Sequence, residues 1–238
     1  MHTSEITIPL AEGAMGAHLA TPDGAPAGAI IAIMEIWGVN DTMRRHAREF
    51  AEAGFICLVP DLFWRQQPGL ELSDANPGDA ETAFELYYHF DYDAGVRDMT
   101  DTMTYLRGLE GGNGKVGTVG YCLGGKMGFL MCCRTDIDCA VAYYGTYIEH
   151  AIREAPDLHR PFMLHQALAD KWVQPEVCAF IERTLSPNPL VEIHKYPDTD
   201  HAFARHGARS YRAGPAERAL ALSVDFFNRH LKQGDPNT

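Results

Sequence analysis

Residues 115–127 constrain the fold of this chain more than any other stretch. They read as a short apolar strand, then a cysteine flanked by glycines at Gly120-Tyr121-Cys122-Leu123-Gly124, and then an apolar helix. The pattern Gly-x-Cys-x-Gly is typical of the sharp strand-to-helix turn that exposes a nucleophile above a parallel sheet, where serine usually stands. A cysteine between glycines can also be a small buried apolar residue. The flanking strand and helix favour a nucleophile, because a helix N-terminus stabilises a thiolate.

Strand-like and helix-like segments alternate along the chain after an edge hairpin over residues 6–20. The predicted strands span 29–35, 55–59, 116–121, 139–144, 161–166 and 190–196. The predicted helices span 41–53, 79–108 with a break near 91–95, 124–133, 175–185 and 215–231. This alternation predicts an α/β fold, with a mostly parallel sheet flanked by helices on both faces.

Length and composition narrow the class of protein. The 238 residues are 46% hydrophobic and contain no repeat or linker, so we expect one domain over residues 1–238. A formal net charge of −12 repels nucleic acid and anionic membrane surfaces, so we expect neither as a partner. The sequence shows neither a signal-peptide pattern nor an apolar run of about 18 residues, so we expect a cytoplasmic monomer or small homo-oligomer that acts on a small molecule.

The six cysteines lack the paired spacings of a zinc site or of a secreted disulfide framework. Buried free thiols are the simplest interpretation of five of them, and Cys122 is the exception because of its setting. A redox-sensing role would require a second thiol near Cys122. Cys132 and Cys133 are too distant for this, since they fall about three turns along the predicted helix.

Two loop residues, an aspartate and a histidine, follow Cys122 in the order expected of a catalytic triad. Asp170 follows the strand predicted at 161–166, and His201 follows the strand predicted at 190–196. A lone Asp or His in a loop is usually solvated or a helix cap. In α/β hydrolases, however, nucleophile, acid and histidine follow one another in this order, each beyond the end of a strand. The sequence therefore predicts an α/β-hydrolase fold in which Cys122 attacks an acyl carbon, His201 relays a proton and Asp170 orients the imidazole.

Backbone amides and one carboxylate are expected beside this triad. The amides of Leu123 and Ile36 are the predicted oxyanion hole, since one follows the nucleophile and the other follows the strand at 29–35. Glu35 ends that otherwise apolar strand. It is either a capping or salt-bridged residue, or a carboxylate that keeps the Cys122 thiol protonated by like-charge repulsion until substrate enters.

Several segments together resemble the dienelactone hydrolase (carboxymethylenebutenolidase) family. They read EIWGVN at 35–40, VGYCLGG at 119–125, YYG at 143–145 and HAFAR at 201–205, and the resemblance runs nearly end to end through RQxPG at 65–69 and FDxxAGV at 90–96. It implies a triad of Cys122, Asp170 and His201. It also implies that Glu35 changes position when substrate binds and takes the thiol proton. The family reaction opens a dienelactone to maleylacetate, a late step in chloroaromatic breakdown, and implies neither a metal nor an organic cofactor.

The substrate-binding residues of that family are only partly present. The family binds the substrate carboxylate with two arginines and a tyrosine, and Arg205 matches one arginine, whereas Ala80 and Phe84 fall at the other two positions. Losing one charge-assisted hydrogen bond costs about 1.5–3 kcal/mol, or roughly 10- to 100-fold in binding. The aromatic residues near the predicted site either contact substrate or belong to the core; they are Trp37, Tyr143 and Trp172.

Three functions stay open at this point. The first is opening of a dienelactone-type lactone or small ester. The second is a broader carboxylesterase or thioesterase with an altered carboxylate site, which Ala80 and Phe84 favour. The third is a non-catalytic ligand-binding relative, which the intact triad order disfavours.

Overall fold

Eight strands and the helices between them account for most of the computed structural model, which describes residues 1–232. The strands are β1 (His2–Leu10), β2 (Gly13–Thr21), β3 (Ala29–Ile33), β4 (Ile56–Pro60), β5 (Val116–Tyr121), β6 (Cys139–Tyr143), β7 (Phe162–Ala167) and β8 (Val191–Tyr196). The helices are α1 (Asp41–Glu52), α2 (Asp79–Tyr88), α3 (Tyr92–Arg107), α4 (Leu123–Arg134), α5 (Ile148–Ala151), α6 (Pro175–Leu185) and α7 (Ala213–Leu231), with a 3₁₀ helix at Ile152–Asp157.

The strands form one sheet in the order β1-β2-β4-β3-β5-β6-β7-β8. β1 and β2 pair antiparallel at one edge, β2 is antiparallel to β4, and every other neighbouring pair is parallel. The predicted α/β class and edge hairpin are therefore confirmed. None of the helices in residues 1–232 is long and apolar enough to span a membrane.

The break between α2 and α3 lies slightly before the predicted position. Asp91 is the N-cap of α3, and its Oδ1 accepts hydrogen bonds from the amides of Asp93 at 2.9 Å and Ala94 at 3.0 Å. Such a capping carboxylate satisfies amides that have no acceptor within the helix. The helix therefore starts at Tyr92, inside the segment predicted to be broken.

Helices cover both faces of the sheet, as the apolar strands require. Along β5, Gly117 faces Phe227 of α7, while its neighbour Thr118 faces Gly128 of α4. Successive strand residues point to opposite faces, so α7 and α4 lie on opposite sides of the sheet. On the α7 side, Phe50 of α1 packs edge-on against Phe227 at 5.7 Å between ring centroids.

The strand order reverses direction at β3. From β3 the chain passes to β4 on one side, and from β4 it crosses to β5 on the other side of β3. The loops that leave the carboxyl ends of β3 and β5 therefore diverge, and a crevice opens between them. Glu35 follows β3 and Cys122 follows β5, so this crevice is where the predicted site residues meet.

Candidate active site

Cys122 occupies the turn between β5 and α4 in a strained conformation. Its φ of 55° and ψ of −111° lie in a region that residues with a side chain rarely adopt. Two glycines make the turn possible. A Cβ on Gly120 would lie 1.8 Å from the carbonyl oxygen of Gly124, and a Cβ on Gly124 would lie 2.4 Å from the carbonyl oxygen of Ile33. Close packing of backbone against backbone thus holds the sulfur at the end of β5.

His201 and Asp170 come together beside the cysteine. The imidazole Nδ1 of His201 lies 2.7 Å from Oδ2 of Asp170, and Oδ1 of that carboxylate accepts the amides of Trp172 and Val173 at 2.7 and 3.2 Å. Burial lowers the pKa of His201, but the negative charge of Cys122 and the hydrogen bond with Asp170 outweigh burial and raise that pKa to about 10.

Glu35 is buried at the carboxyl side of β3 and pairs with Arg205. Its Oε2 lies 3.3 Å from Nε of Arg205, whereas Oε1 is buried without a hydrogen-bond partner among residues 1–232. The same guanidinium lies 3.3 Å from Oδ2 of Asp74 through Nη1. Arg205 therefore stands between two carboxylates.

These groups surround one cavity of about 200 Å³. Its walls are mostly apolar and aromatic, and the complete lining is Glu35, Ile36, Trp37, Asp74, Phe84, Tyr87, Cys122, Thr146, Tyr147, Trp172, His201 and Arg205. A largely apolar cavity with a few convergent polar groups is typical of a site for a small molecule. The arrangement suits nucleophilic attack on a small acyl compound.

Comparison with known proteins agrees with this geometry. The model of the dienelactone hydrolase family matches residues 15–231. A carboxymethylenebutenolidase of Pseudomonas putida is 36% identical over 228 residues, which cover 95% of this chain and 97% of the relative. Another, from Cupriavidus pinatubonensis, is 36% identical over 215 residues and covers 90% and 92% of the two chains. The chain belongs to the dienelactone hydrolase family. It is therefore a hydrolase that acts on ester or lactone bonds.

Solved structures show the same fold. A protein of Klebsiella pneumoniae, provisionally named a dienelactone hydrolase, superimposes with a TM-score of 0.85 at 24% identity and covers 95% of this chain and 98% of its own. The dienelactone hydrolase of Anabaena variabilis superimposes with a TM-score of 0.73 at 16% identity and covers 97% and 99% of the two chains. The α/β-hydrolase fold predicted for this dienelactone hydrolase family member is thus confirmed.

One of the two predicted oxyanion residues lines the cavity, and the other is next to Cys122 in the chain. Ile36 lines the cavity directly, and Leu123 is the first residue of α4. The amide of a first helical residue has no acceptor within its own helix.

The predicted substrate-binding residues divide into two groups. Arg205, Trp37, Phe84 and Trp172 all line the cavity, and the rings of Phe84 and Trp172 lie 5.3 Å apart. Tyr143 was predicted to bind substrate, and this prediction is wrong. Its side chain is buried in the core, and its hydroxyl lies 2.8 Å from Oγ of Ser223 in α7. β6 ends at Tyr143, so that side chain follows the strand alternation into the core. Ala80 is also outside the cavity, at an exposed position in the first turn of α2.

Four cavity residues of this family member escaped the sequence analysis, namely Thr146, Tyr147, Tyr87 and Asp74. Thr146 lies beyond the end of β6, and its Oγ1 is 3.8 Å from Sγ of Cys122 and 2.6 Å from the hydroxyl of Tyr87. The position of Thr146 after a strand adjacent to β5 was a usable signal. Tyr87 and Asp74 gave none, because they reach the cavity from α2 and from the irregular segment before it.

Proposed function

We propose that this protein hydrolyses a small lactone or ester through a Cys122-His201-Asp170 triad and an acyl-enzyme. The observation that carries the proposal is the 2.7 Å contact of His201 with Asp170 at the wall of the cavity that also exposes Cys122. Asp170 fixes the imidazole so that its other nitrogen is free to exchange a proton.

In the first half of the reaction, the sulfur of Cys122 attacks the carbonyl carbon and forms a C–S bond. The carbonyl oxygen becomes an oxyanion, for which the amides of Ile36 and Leu123 are the proposed donors. The C–O bond to the leaving group then breaks. The imidazolium of His201 gives its proton to the departing alkoxide, which in a lactone stays part of the same molecule.

In the second half, water hydrolyses the thioester. Neutral His201 takes a proton from water as its oxygen attacks the acyl carbon, and the C–S bond breaks. The proton then returns from His201 to the sulfur or to bulk water. A carboxylic acid leaves, and the enzyme recovers its starting state.

Activation of the thiol can follow two routes, and each belongs to one candidate substrate class. For a dienelactone-type substrate opened to maleylacetate, its carboxylate would compete for Arg205, release Glu35, and let Glu35 accept the thiol proton. In this route that proton, rather than one from an imidazolium of His201, would pass to the departing alkoxide, and Glu35 would return to its carboxylate form. The 3.3 Å pairing of Glu35 with Arg205 supports this route. For an uncharged ester or thioester, His201 would take the thiol proton directly. Phe84 at the cavity wall and the exposed position of Ala80 favour this second candidate, since neither can bind a carboxylate.

The proposal is tested by replacing the nucleophile. We expect Cys122→Ala to lower kcat/KM for an activated p-nitrophenyl ester by at least 10³-fold, because the acyl-enzyme cannot form. Circular dichroism and the denaturation midpoint should show that the variant is folded. As a matched control, Cys133→Ala changes a thiol in α4 outside the cavity and should leave kcat/KM within about twofold of the wild-type value. Normal turnover by folded Cys122→Ala would overturn the catalytic assignment.

A further inference from the structure

Arg205 lies where two cavities meet. Beyond the 200 Å³ inner cavity is an open vestibule of about 530 Å³. Asp74, Trp172, His201 and Arg205 line both spaces. A substrate that enters from the vestibule must therefore pass the Arg205–Asp74 pair before its acyl group reaches Cys122.

The guanidinium of Arg205 is flanked by two carboxylates and an aromatic ring, although its Nε and Nη1 are buried without a hydrogen-bond partner among residues 1–232. Glu35 lies 3.3 Å from its Nε, Asp74 lies 3.3 Å from its Nη1, and the ring of Trp37 lies 5.6 Å from its Cζ. With both carboxylates ionised, one positive and two negative charges give this group a net charge of −1. The net charge of this group therefore disfavours a further anion, although Arg205 is the residue expected to hold a substrate carboxylate.

The position of Asp74 is fixed by its neighbours in the chain. The amide of Leu72 donates to the carbonyl of Trp37 at 2.8 Å, and a β-bridge joins Gly38 to Glu71. On the other side, the carboxylate of Asp79 accepts the amide of Ser73 at 2.9 Å. These bonds attach the segment before α2 to the loop after β3, which carries Glu35 and Ile36.

We propose that Asp74 is a specificity-determining residue that turns this site toward uncharged acyl groups. The proposal rests on the proposed function and selects between its two candidates. Asp74 gives the group of Glu35, Arg205 and Asp74 a net negative charge and repels a substrate carboxylate that would approach the same guanidinium. Ala80 and Phe84 offer no replacement anchor, so the second candidate, an uncharged ester, is the substrate class.

The other cations of the vestibule do not cancel the preference for uncharged over carboxylate-bearing substrates. Arg209 and Arg212 line the outer space and are exposed, and Lys171 lies 3.5 Å from Oδ2 of Asp200. They attract anions to the entrance, but they do not line the inner cavity. Two like charges about 6 Å apart at an effective dielectric constant of about 40 repel each other enough to change binding by about tenfold.

The test compares two esters of the same length. The monoester p-nitrophenyl glutarate carries a terminal carboxylate, and p-nitrophenyl pentanoate has a methyl group there. We expect the wild-type protein to have the higher kcat/KM for the pentanoate. In Asp74→Asn, the glutarate-to-pentanoate ratio of kcat/KM should rise about tenfold, because Arg205 is released toward the substrate carboxylate. This gain should shrink as sodium chloride is added, since salt screens the partly exposed site.

Two control variants separate local from general charge effects. Asp74→Glu keeps the negative charge and should keep the ratio close to the wild-type value. Glu81→Gln removes one negative charge from an exposed position on α2 outside both cavities, and should change the ratio by less than about twofold. Activity on the pentanoate reports that each variant is folded.

An unchanged ratio in active Asp74→Asn, or a wild-type preference for the glutarate monoester, would overturn the inference alone. Wild-type protein that hydrolyses neither ester, or Cys122→Ala that hydrolyses both, would overturn the proposed function as well.

Discussion

Cys122 holds a backbone conformation that most residues avoid, and the surrounding residues impose it. The amide of Cys122 donates to the carbonyl of Tyr143 at 3.1 Å, and its carbonyl accepts the amides of Gly125 at 3.0 Å and Thr146 at 3.2 Å. Such strained dihedrals cost on the order of 1–3 kcal/mol. The strain is the structural cost of presenting a sulfur to the cavity from the end of a buried strand.

The strain predicts an unusual order of stability among variants. Glycine adopts positive φ at little cost, so Cys122→Gly should be more stable than Cys122→Ala by about 1 kcal/mol. Urea denaturation of both variants measures this difference. The control pair is Cys133→Gly and Cys133→Ala within α4, where glycine should be the less stable by about 1 kcal/mol. The same sign at both positions would contradict the proposed strain.

At the scale of elements, α1 is attached to the loop that carries His201 and Arg205. Glu49 of α1 accepts hydrogen bonds from His46 and from His206, each at 3.0 Å, and His206 directly follows Arg205 in the chain. Burial raises the pKa of Glu49, but the hydrogen bond and charge of His46, and the charge of His206, outweigh burial and lower it to about 2. This carboxylate thus joins two elements that lie far apart in sequence.

The attachment predicts a pH dependence of stability. The pKa of Glu49 is lower in the folded chain than in the unfolded chain, so the unfolded chain binds more protons as pH falls. Its contribution is fully present above about pH 4.5 and is lost as pH falls toward 2. We expect Glu49→Gln to lower the free energy of unfolding by about 2 kcal/mol near pH 5, where His206, whose pKa burial lowers, carries more charge than at pH 7, and to show a weaker loss between pH 4.5 and 2. Denaturant titrations at several pH values measure both effects.

The control for that measurement is Glu52→Gln, which changes an exposed carboxylate on the same helix. It should leave the free energy of unfolding within about 0.5 kcal/mol of the wild-type value. A loss in Glu52→Gln as large as that in Glu49→Gln would show that helix charge, rather than the contact with His206, is responsible.

Across the whole molecule, six thiols lie in two kinds of environment. Cys57, Cys132 and Cys139 are fully buried, and burial raises the pKa of each well above the ordinary value. Burial also raises the pKa of Cys133 to about 12 and that of Cys178 to about 11. Cys122 alone among the six lines the inner cavity.

This distribution predicts selective alkylation. Iodoacetamide should label Cys122 in the folded protein and leave the other five thiols unmodified, as measured by mass spectrometry of peptides. Glu35→Gln should react severalfold faster at Cys122, because removing a buried negative charge near the sulfur favours the thiolate. Glu110→Gln, an exposed change outside the cavity, is the control and should react at the wild-type rate. Slower or equal labelling of Glu35→Gln would contradict the idea that Glu35 keeps the thiol protonated.

Local sequence patterns were sufficient to predict the strands and helices and the order of the candidate catalytic residues along the chain. Apolar periodicity located the strands and helices, and the glycines around Cys122 indicated the turn, because these properties depend on neighbours in the sequence. The positions of Asp170 and His201 after strands indicated that both would reach the same sheet edge. The same reasoning misplaced Tyr143, since the strand end by itself does not tell whether a side chain faces the cavity or the core.

Only the tertiary structure decided which charges meet at Arg205. Glu35, Asp74 and Arg205 come from three loops, and no local pattern links them, because their distances depend on how the segment before α2 folds back over the end of β3. The sequence by itself therefore determined an α/β-hydrolase fold with a cysteine at the turn after β5. The packing of distant loops determined the charge that a substrate meets on its way to that cysteine.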